Sequence, residues 1–129
     1  MAEVRIPLRR PPLNHRFPIE GNADAVRLSE IPFLGKFILR ADPQAAVEPL
    51  RTALGLGLPF DPLTSSTVGD TSFLWMGPDE WMLVTAPANA APPERARSAL
   101  AGLHYQLVDV TDYYTTIDVA GPKARELLM

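Results

Sequence analysis

In Thr71-Ser-Phe-Leu-Trp-Met-Gly-Pro-Asp-Glu-Trp-Met-Leu-Val-Thr-Ala86, two apolar runs flank Gly77-Pro78-Asp79-Glu80. Both tryptophans of the chain, Trp75 and Trp81, lie in it. Aromatic and long aliphatic residues favour pleated strands, and Gly-Pro-Asp is typical of a turn. We therefore predict a β-hairpin. Because neither run alternates polar with apolar residues, we expect both of its faces to be covered and the hairpin to lie within a core.

Length and composition limit the class of protein. At 129 residues the chain is predicted to form one domain. A net charge of −3 gives the chain no overall electrostatic attraction for nucleic acid. The absence of cysteine excludes a disulfide, a thiolate zinc site and a cysteine nucleophile. No apolar stretch approaches membrane-spanning length and no signal-peptide pattern is present, so the sequence predicts a cytoplasmic protein without nucleic-acid or membrane partners.

The N-terminal part, residues 1–22, is rich in proline and arginine and has neither helical nor strand periodicity. We interpret it as an arm that precedes a single α+β domain of residues 23–129. Two hypotheses for the arm stay open. It is either disordered or surface-hugging, or it is an extended arm that lies on a partner. Its interspersed apolar residues, Phe17 among them, are unusual in a purely solvated tail.

The chain from residue 35 predicts an ordered succession of strands and helices. The predicted elements are a strand over 35–41, a helix that begins at Asp42-Pro43 and ends at Gly55, a loop over 58–70, the hairpin, a helix from Pro92-Pro93 to Gly102, and a strand over 104–112. Pro49 implies that the first helix either kinks there or starts nearer Glu48. The order β-α-β-β-α-β is the ferredoxin-like arrangement, with helices on one face of the sheet.

After Tyr113-Tyr114 the pattern restarts with a strand over 115–120, and Gly121-Pro122 opens a helix. The segment Asp118–Ala124 repeats the residue pattern of Leu39–Ala45, which is either chance or the sign of a second β-α unit. We therefore divide the domain into a first repeat, 23–112, and the start of a second, truncated repeat, 113–129. Three hypotheses for this end stay open: the protein is truncated, the remainder was removed, or the end completes itself by packing on the first unit or on another chain.

The search for chemistry finds no convincing site. His15 and His104 have no second ligand at a metal-binding spacing. Asp109, Asp112 and Asp118 would suit acid–base catalysis or a metal, but strand-end solvation and capping is the stronger interpretation. We assign no catalytic, cofactor-binding or metal-binding residue. The residues alone favour a binding or assembly module over an enzyme.

Three stretches, in order and spacing, resemble the gamma subunit of heterotetrameric bacterial sarcosine oxidase. They are Leu28–Pro43, Leu74–Val84, and Val108–Asp112 with Thr115–Leu128. The most specific motif is Trp-x-Gly-Pro-Asp-Glu-Trp in the hairpin. The ending Gly-Pro-x-Ala-x-x-Leu is shared more widely, with the folate-binding fold of the glycine-cleavage T-protein. The family's chains are longer and continue through the second repeat.

The resemblance implies a T-protein-like fold and a non-catalytic role. The complex demethylates sarcosine to glycine, reduces oxygen to hydrogen peroxide and passes the one-carbon unit to tetrahydrofolate. By this resemblance, the alpha and beta subunits would bind the cofactors FAD, FMN, NAD and tetrahydrofolate, and this chain would bind none. Alpha and beta would be its partners, with delta as a further candidate partner. The interface candidates are Phe17, Trp75, Trp81, Tyr113 and Tyr114.

Two other functions stay open. One is a free-standing T-protein-type folate-binding module, in which Tyr113, Tyr114 or Trp75 stacks on a pteridine. The other is an unrelated ferredoxin-like domain that dimerises through its open sheet face. Self-association of the isolated chain would be compatible with this domain and also with the gamma-subunit hypothesis.

Overall fold

The structure is a computed structural model that describes residues 8–16, 19–20 and 25–129. Their regular elements, in chain order, are β1 (Ile19–Glu20), β2 (Arg27–Ile31), β3 (Gly35–Ala41), α1 (Pro43–Leu54), β4 (Ser65–Val68), β5 (Thr71–Gly77), β6 (Glu80–Thr85), α2 (Ala91–Ala99), β7 (Tyr105–Asp109), β8 (Thr116–Ala120) and α3 (Ala124–Leu128). The chain divides into two compact units. Phe33–Tyr114 forms one, and Met1–Pro32 with Thr115–Met129 forms the other. The division of one domain into a first repeat, 23–112, and the start of a second, 113–129, stays a prediction.

The central unit, Phe33–Tyr114, contains a five-stranded antiparallel sheet in the order β4-β5-β6-β3-β7. The predicted hairpin is confirmed as β5 and β6, in which Trp75 lies opposite Trp81. The pairing is irregular between Trp75 and Gly77, next to the turn. Strand β6 pairs in turn with β3, so the hairpin occupies the middle of the sheet.

Helix α1 begins and ends where the sequence predicts. The Asp42 carboxylate accepts a hydrogen bond from the backbone N–H of Gln44 (2.9 Å), which satisfies one of the free donors of the first turn. Gly55 has φ 63° and closes the helix with its N–H on the Arg51 carbonyl. The helix runs through Pro49, so the alternative start near Glu48 is wrong.

The core lies between the helices and one face of this sheet. Its buried members are Phe37, Leu39, Phe73, Trp81 and Leu83 from the strands, Ala46 and Leu50 from α1, Ala96 from α2, the α2 C-cap residue Leu100, and the loop residues Leu56 and Leu58. The prediction that both faces of the hairpin are covered is wrong for Met76, which is 48% exposed, and the neighbouring Leu74 and Met82 on that face are only half-buried.

The predicted loop over residues 58–70 is corrected by the structure, because it contains strand β4. This strand pairs antiparallel with β5 through the two-residue connection Gly69-Asp70, in which Gly69 has φ 61°. The sequence Ser-Ser-Thr-Val of β4 lacks an apolar alternation because the strand lies at the edge of the sheet and is mostly exposed. A hydrophobic pattern therefore does not reveal it.

The second unit contains a three-stranded sheet in the order β1-β2-β8. Neither β1, within the predicted arm, nor β2 was indicated by periodicity. Strand β8 and the following helix α3 agree with the predicted β-α pair, although α3 has no buried residue. Gly121, with φ 124°, approaches the Ala25 carbonyl so closely that a Cβ atom would clash with it.

Candidate functional site

No catalytic constellation is found within residues 8–16, 19–20 and 25–129. These residues contain no group of three or more His, Asp or Glu side chains that could hold a metal ion. His15 lies exposed in a turn of the second unit, and His104 lies exposed just before β7. In the same described ranges no helix is long and apolar enough to cross a membrane.

Of the carboxylates that the sequence singled out, Asp109 makes a local structural bond. Asp109 accepts a hydrogen bond from the N–H of Thr111 (2.9 Å) and so caps the turn that follows β7. Asp118 lies on β8 in the other unit, in register with Ser29. The geometry around Asp109 favours the capping interpretation over acid–base chemistry.

A concavity of about 560 Å³ opens at the end of β3, in the size range of ligand sites. It is lined by Arg40, Ala41, Asp42, Asp79, His104, Tyr105 and Gln106. Its charges are satisfied at the surface, since Arg40 and Asp79 form an ion pair of 3.3 Å and both side chains are more than half exposed. The lining mixes charges of both signs around that exposed pair, which gives the concavity no single ligand preference.

The aromatic interface candidates have different environments. Phe17 lies outside the described residues. Trp81 is fully buried, donates its Nε1–H to the Pro59 carbonyl (2.7 Å) and makes an edge contact with Phe60, so its side chain belongs to the core. Trp75 is half-buried. The exposed candidates are Tyr113, 81% exposed, and Tyr114, 45% exposed, whose rings form an edge-to-face pair with centroids 4.9 Å apart.

The tyrosine pair is displayed on a turn that strand β3 holds in place. Lys36 of β3 holds this turn through its hydrogen bonds. Its side chain lies on the sheet face away from α1 and α2 and is only 4% exposed. Its Nζ donates to the carbonyls of Tyr114 (3.2 Å) and Leu34 (3.3 Å), and its backbone N–H donates to Thr111 Oγ1 (3.1 Å). Sequence reasoning missed this role of Lys36, since spacing along the chain carries no signal for a partner 78 residues away.

The fold defines the class of protein first. The structure is similar to the glycine cleavage system aminomethyltransferase T from Bartonella henselae, with a TM-score of 0.56 and 16% identity, covering 78% of this chain and 30% of that one. At this identity the likeness shows the fold alone. The chain therefore has a mixed α/β, T-protein-like architecture with antiparallel sheets.

Closer relatives identify the family. The model of the "Sarcosine oxidase, gamma subunit family" matches residues 39–129, so the chain belongs to this family. The sarcosine oxidase subunit gamma of Corynebacterium sp. strain P-1 is 31% identical over 122 residues (91% of this chain, 60% of the relative), and that of strain U-96 is 32% identical over 130 residues (94% and 62%). A chain of the heterotetrameric sarcosine oxidase from Corynebacterium sp. U-96, in complex with pyrrole 2-carboxylate, superimposes with a TM-score of 0.77 at 29% identity (92% of this chain, 64% of that chain).

The chain thus spans about three fifths of the length of the relatives it matches, which have additional residues beyond the aligned part.

Proposed function

We propose that this chain is a non-catalytic structural subunit of a heterotetrameric sarcosine oxidase. The observation that carries the proposal is the family match over residues 39–129. It is supported by the likeness, over 92% of this chain, to a chain of a solved heterotetrameric oxidase. The oxidative demethylation of sarcosine, with its FAD, FMN, NAD and tetrahydrofolate, is assigned in this proposal to partner subunits alpha and beta. A delta subunit is the further candidate, and the complex is placed in the cytoplasm.

The fold fits a supporting role if the unit Phe33–Tyr114 is a ferredoxin-like repeat with one added strand. Without β4, its elements follow the order β-α-β-β-α-β, and its strands lie in the order β5-β6-β3-β7, as in that arrangement. Strand β8 and helix α3 then begin the second repeat. A fold of this kind presents sheet faces and edges to neighbouring chains.

The interface is proposed to include the half-buried Trp75 and the exposed pair Tyr113 and Tyr114. Tyrosine and tryptophan are enriched in the well-packed centres of protein interfaces, where they bury large areas at little entropic cost. The turn that carries the tyrosines is already fixed by Lys36, so little ordering is needed on association. Phe17, outside the described residues, remains a candidate from the sequence.

Affinity purification of the full-length tagged chain from its native host tests this function. The eluate is expected to be yellow, to contain two larger proteins identified by peptide mass spectrometry as flavin-bearing subunits, and to form hydrogen peroxide from sarcosine. The chain purified alone should form none. A colourless eluate of this chain alone, or sarcosine turnover by the isolated chain, would contradict the proposal, and folate titration of the tryptophan fluorescence would follow.

A further inference from the structure

The two edges of the five-stranded sheet differ in protection. At the β7 edge, Arg97 of α2 donates to the backbone carbonyl of Leu107 (3.5 Å), and Asp109 adds an exposed charge. Strand β4, at the other edge, reads Ser-Ser-Thr-Val and contains no charge and no proline, and its pairing with β5 has no bulge. Charges, prolines and bulges are the means by which proteins prevent free edges from pairing with other chains. Strand β4 itself has none of them, although Asp61 and Pro62 precede it and Asp70 follows it.

The turn that leads into β4 holds an exposed leucine in a strained conformation. In Asp61-Pro62-Leu63-Thr64, both the N–H and the hydroxyl of Thr64 donate to the Asp61 carbonyl. Proline at the second position and a positive φ at the third mark a type II turn, whose third residue is usually glycine or asparagine. Here it is Leu63, with φ 64° and 92% exposure. Folding of this chain gains nothing from an exposed side chain that strains its backbone.

The leucine is fixed in space relative to the edge strand. The Thr64 carbonyl accepts the backbone N–H of Trp75 (3.0 Å), and the Ser66 hydroxyl donates to the Gly57 carbonyl. At the other end of β4, Val68 is 52% exposed. Two apolar side chains therefore border a strand that has no charge, proline or bulge within it, and the turn that precedes this strand is held in one conformation.

We propose that the β4 edge, with Leu63 and Val68, is the docking site for an extended, uncharged segment of a partner subunit, which adds to the sheet as a further strand. The inference rests on the proposed function and specifies its interface. Such strand addition obtains affinity from backbone hydrogen bonds and specificity from alternate side chains. The edge of four residues measures about 13 Å. Strand β4 itself carries no charge, and the exposed acids Asp61 and Asp70 flank its two ends, so uncharged residues suit the pairing with β4 and an acidic residue at either end of the added strand would meet like charge.

Two variants and one matched control test the docking site in the assembled complex. Leu63→Gly removes the exposed side chain and relieves the strained φ, so the melting temperature of the chain should stay within about 3 °C of wild type. Its affinity for the co-purified flavin-bearing subunits should fall by about tenfold or more. Ala88→Gly, at another exposed residue with positive φ (58°), relieves strain while removing only a methyl group away from β4 in the chain, and it should leave affinity unchanged. Val68→Lys, which charges the edge, should also weaken assembly.

Hydrogen exchange measures strand addition directly. Backbone amides of Ser65–Val68 that are free in the isolated chain should exchange more slowly in the complex, while those of the β7 strand should not change. Two results would overturn the docking site and leave the proposed function intact. One is unaltered hydrogen exchange at β4 in the complex. The other is that Leu63→Gly and Val68→Lys bind the flavin-bearing subunits as tightly as wild type does. Concentration-dependent protection of β4 in the isolated chain would overturn it in favour of a second copy. A wild-type chain that retains no flavin-bearing subunit would overturn both.

Discussion

The two faces of the five-stranded sheet carry similar apolar residues but are buried to different extents. On the face toward the helices, Phe73 and Trp81 are fully buried. On the opposite face, Leu74 and Met82 lie opposite each other on the same two strands and are only half-buried. The difference arises because α1 and α2 both contribute their buried residues to the first face.

This comparison separates residues that hold the unit together from residues available to another surface. Hydrophobic stabilisation is proportional to the apolar area removed from water, so the helix-facing residues should dominate the free energy of unfolding. The opposite face should contribute less, with Lys36 as an exception because its side chain is nearly buried there. Substitutions on the two faces can therefore confirm or abolish the distinction.

The largest effect is expected for Trp81→Ala. The side chain is fully buried and donates its indole N–H to the Pro59 carbonyl, so the truncation leaves both a cavity and an unpaired acceptor. We expect a loss of about 3–5 kcal/mol in the free energy of unfolding. The matched control is the half-buried neighbour Met82, whose replacement by alanine should cost about 1–2 kcal/mol. Equal losses for the two variants in denaturant unfolding would remove the distinction between the faces.

A small-to-large substitution tests how tightly the helix-facing side is packed. A Cβ atom at the buried Gly35 would clash with Thr85 Oγ1 and lie 3.2 Å from the Phe37 ring. Gly35→Ala is therefore expected to cost about 1–3 kcal/mol. At Gly77, the atom nearest to an added Cβ is the Cβ of Glu80, at 3.7 Å, which is an ordinary contact distance. Gly77→Ala should therefore change the free energy of unfolding by less than about 0.5 kcal/mol. Thermal unfolding of the pair gives the comparison, and a neutral Gly35→Ala would mean that the strand can shift.

Elements with local signals were predictable from the sequence. The hairpin was indicated by two apolar runs around Gly77-Pro78, and α1 by the Asp42-Pro43 start and the Gly55 end, since turn and cap chemistry is local. Strand β4 carried one usable signal, the Gly69-Asp70 pair of a two-residue hairpin connection, but its polar residues obscured it. Strand β2 pairs with β8, which follows it in the chain by more than 80 residues, and no local pattern reports such a pairing.

The candidate site was less predictable than the fold for the same reason. Tyr113 and Tyr114 stood out as residue types, but the lysine that fixes their turn lies 78 residues from Tyr114. Leu63 was hidden in a segment that looked like an ordinary loop. Its proposed role in docking rests on a positive φ and on exposure, and neither property is encoded in residue type.

Lys36→Met tests the buried charge on the opposite face. The substitution keeps the length and apolar stem of the side chain but removes the donors to the Tyr114 and Leu34 carbonyls. Hydrogen bonds from charged donors contribute more than neutral ones, and the methionine regains part of the loss by packing, so we expect a cost of about 1–2 kcal/mol. Amide exchange in the turn that carries Tyr113 should become faster. Unchanged exchange would mean that the Thr111 hydrogen bonds hold this turn without the lysine ammonium.

The smallest effect is expected at the exposed end of the same face, for Arg40→Ala. Arg40 pairs with Asp79 at 3.3 Å, but both side chains are more than half exposed, so water and salt screen the attraction. We expect a loss of about 0.5 kcal/mol or less, which should decrease further as the salt concentration in the unfolding experiment is raised. A salt-independent loss above about 1 kcal/mol would mean that the concavity at the end of β3 is a rigid part of the fold. The second face would then be held by its polar residues at both Lys36 and Arg40, rather than at Lys36 alone.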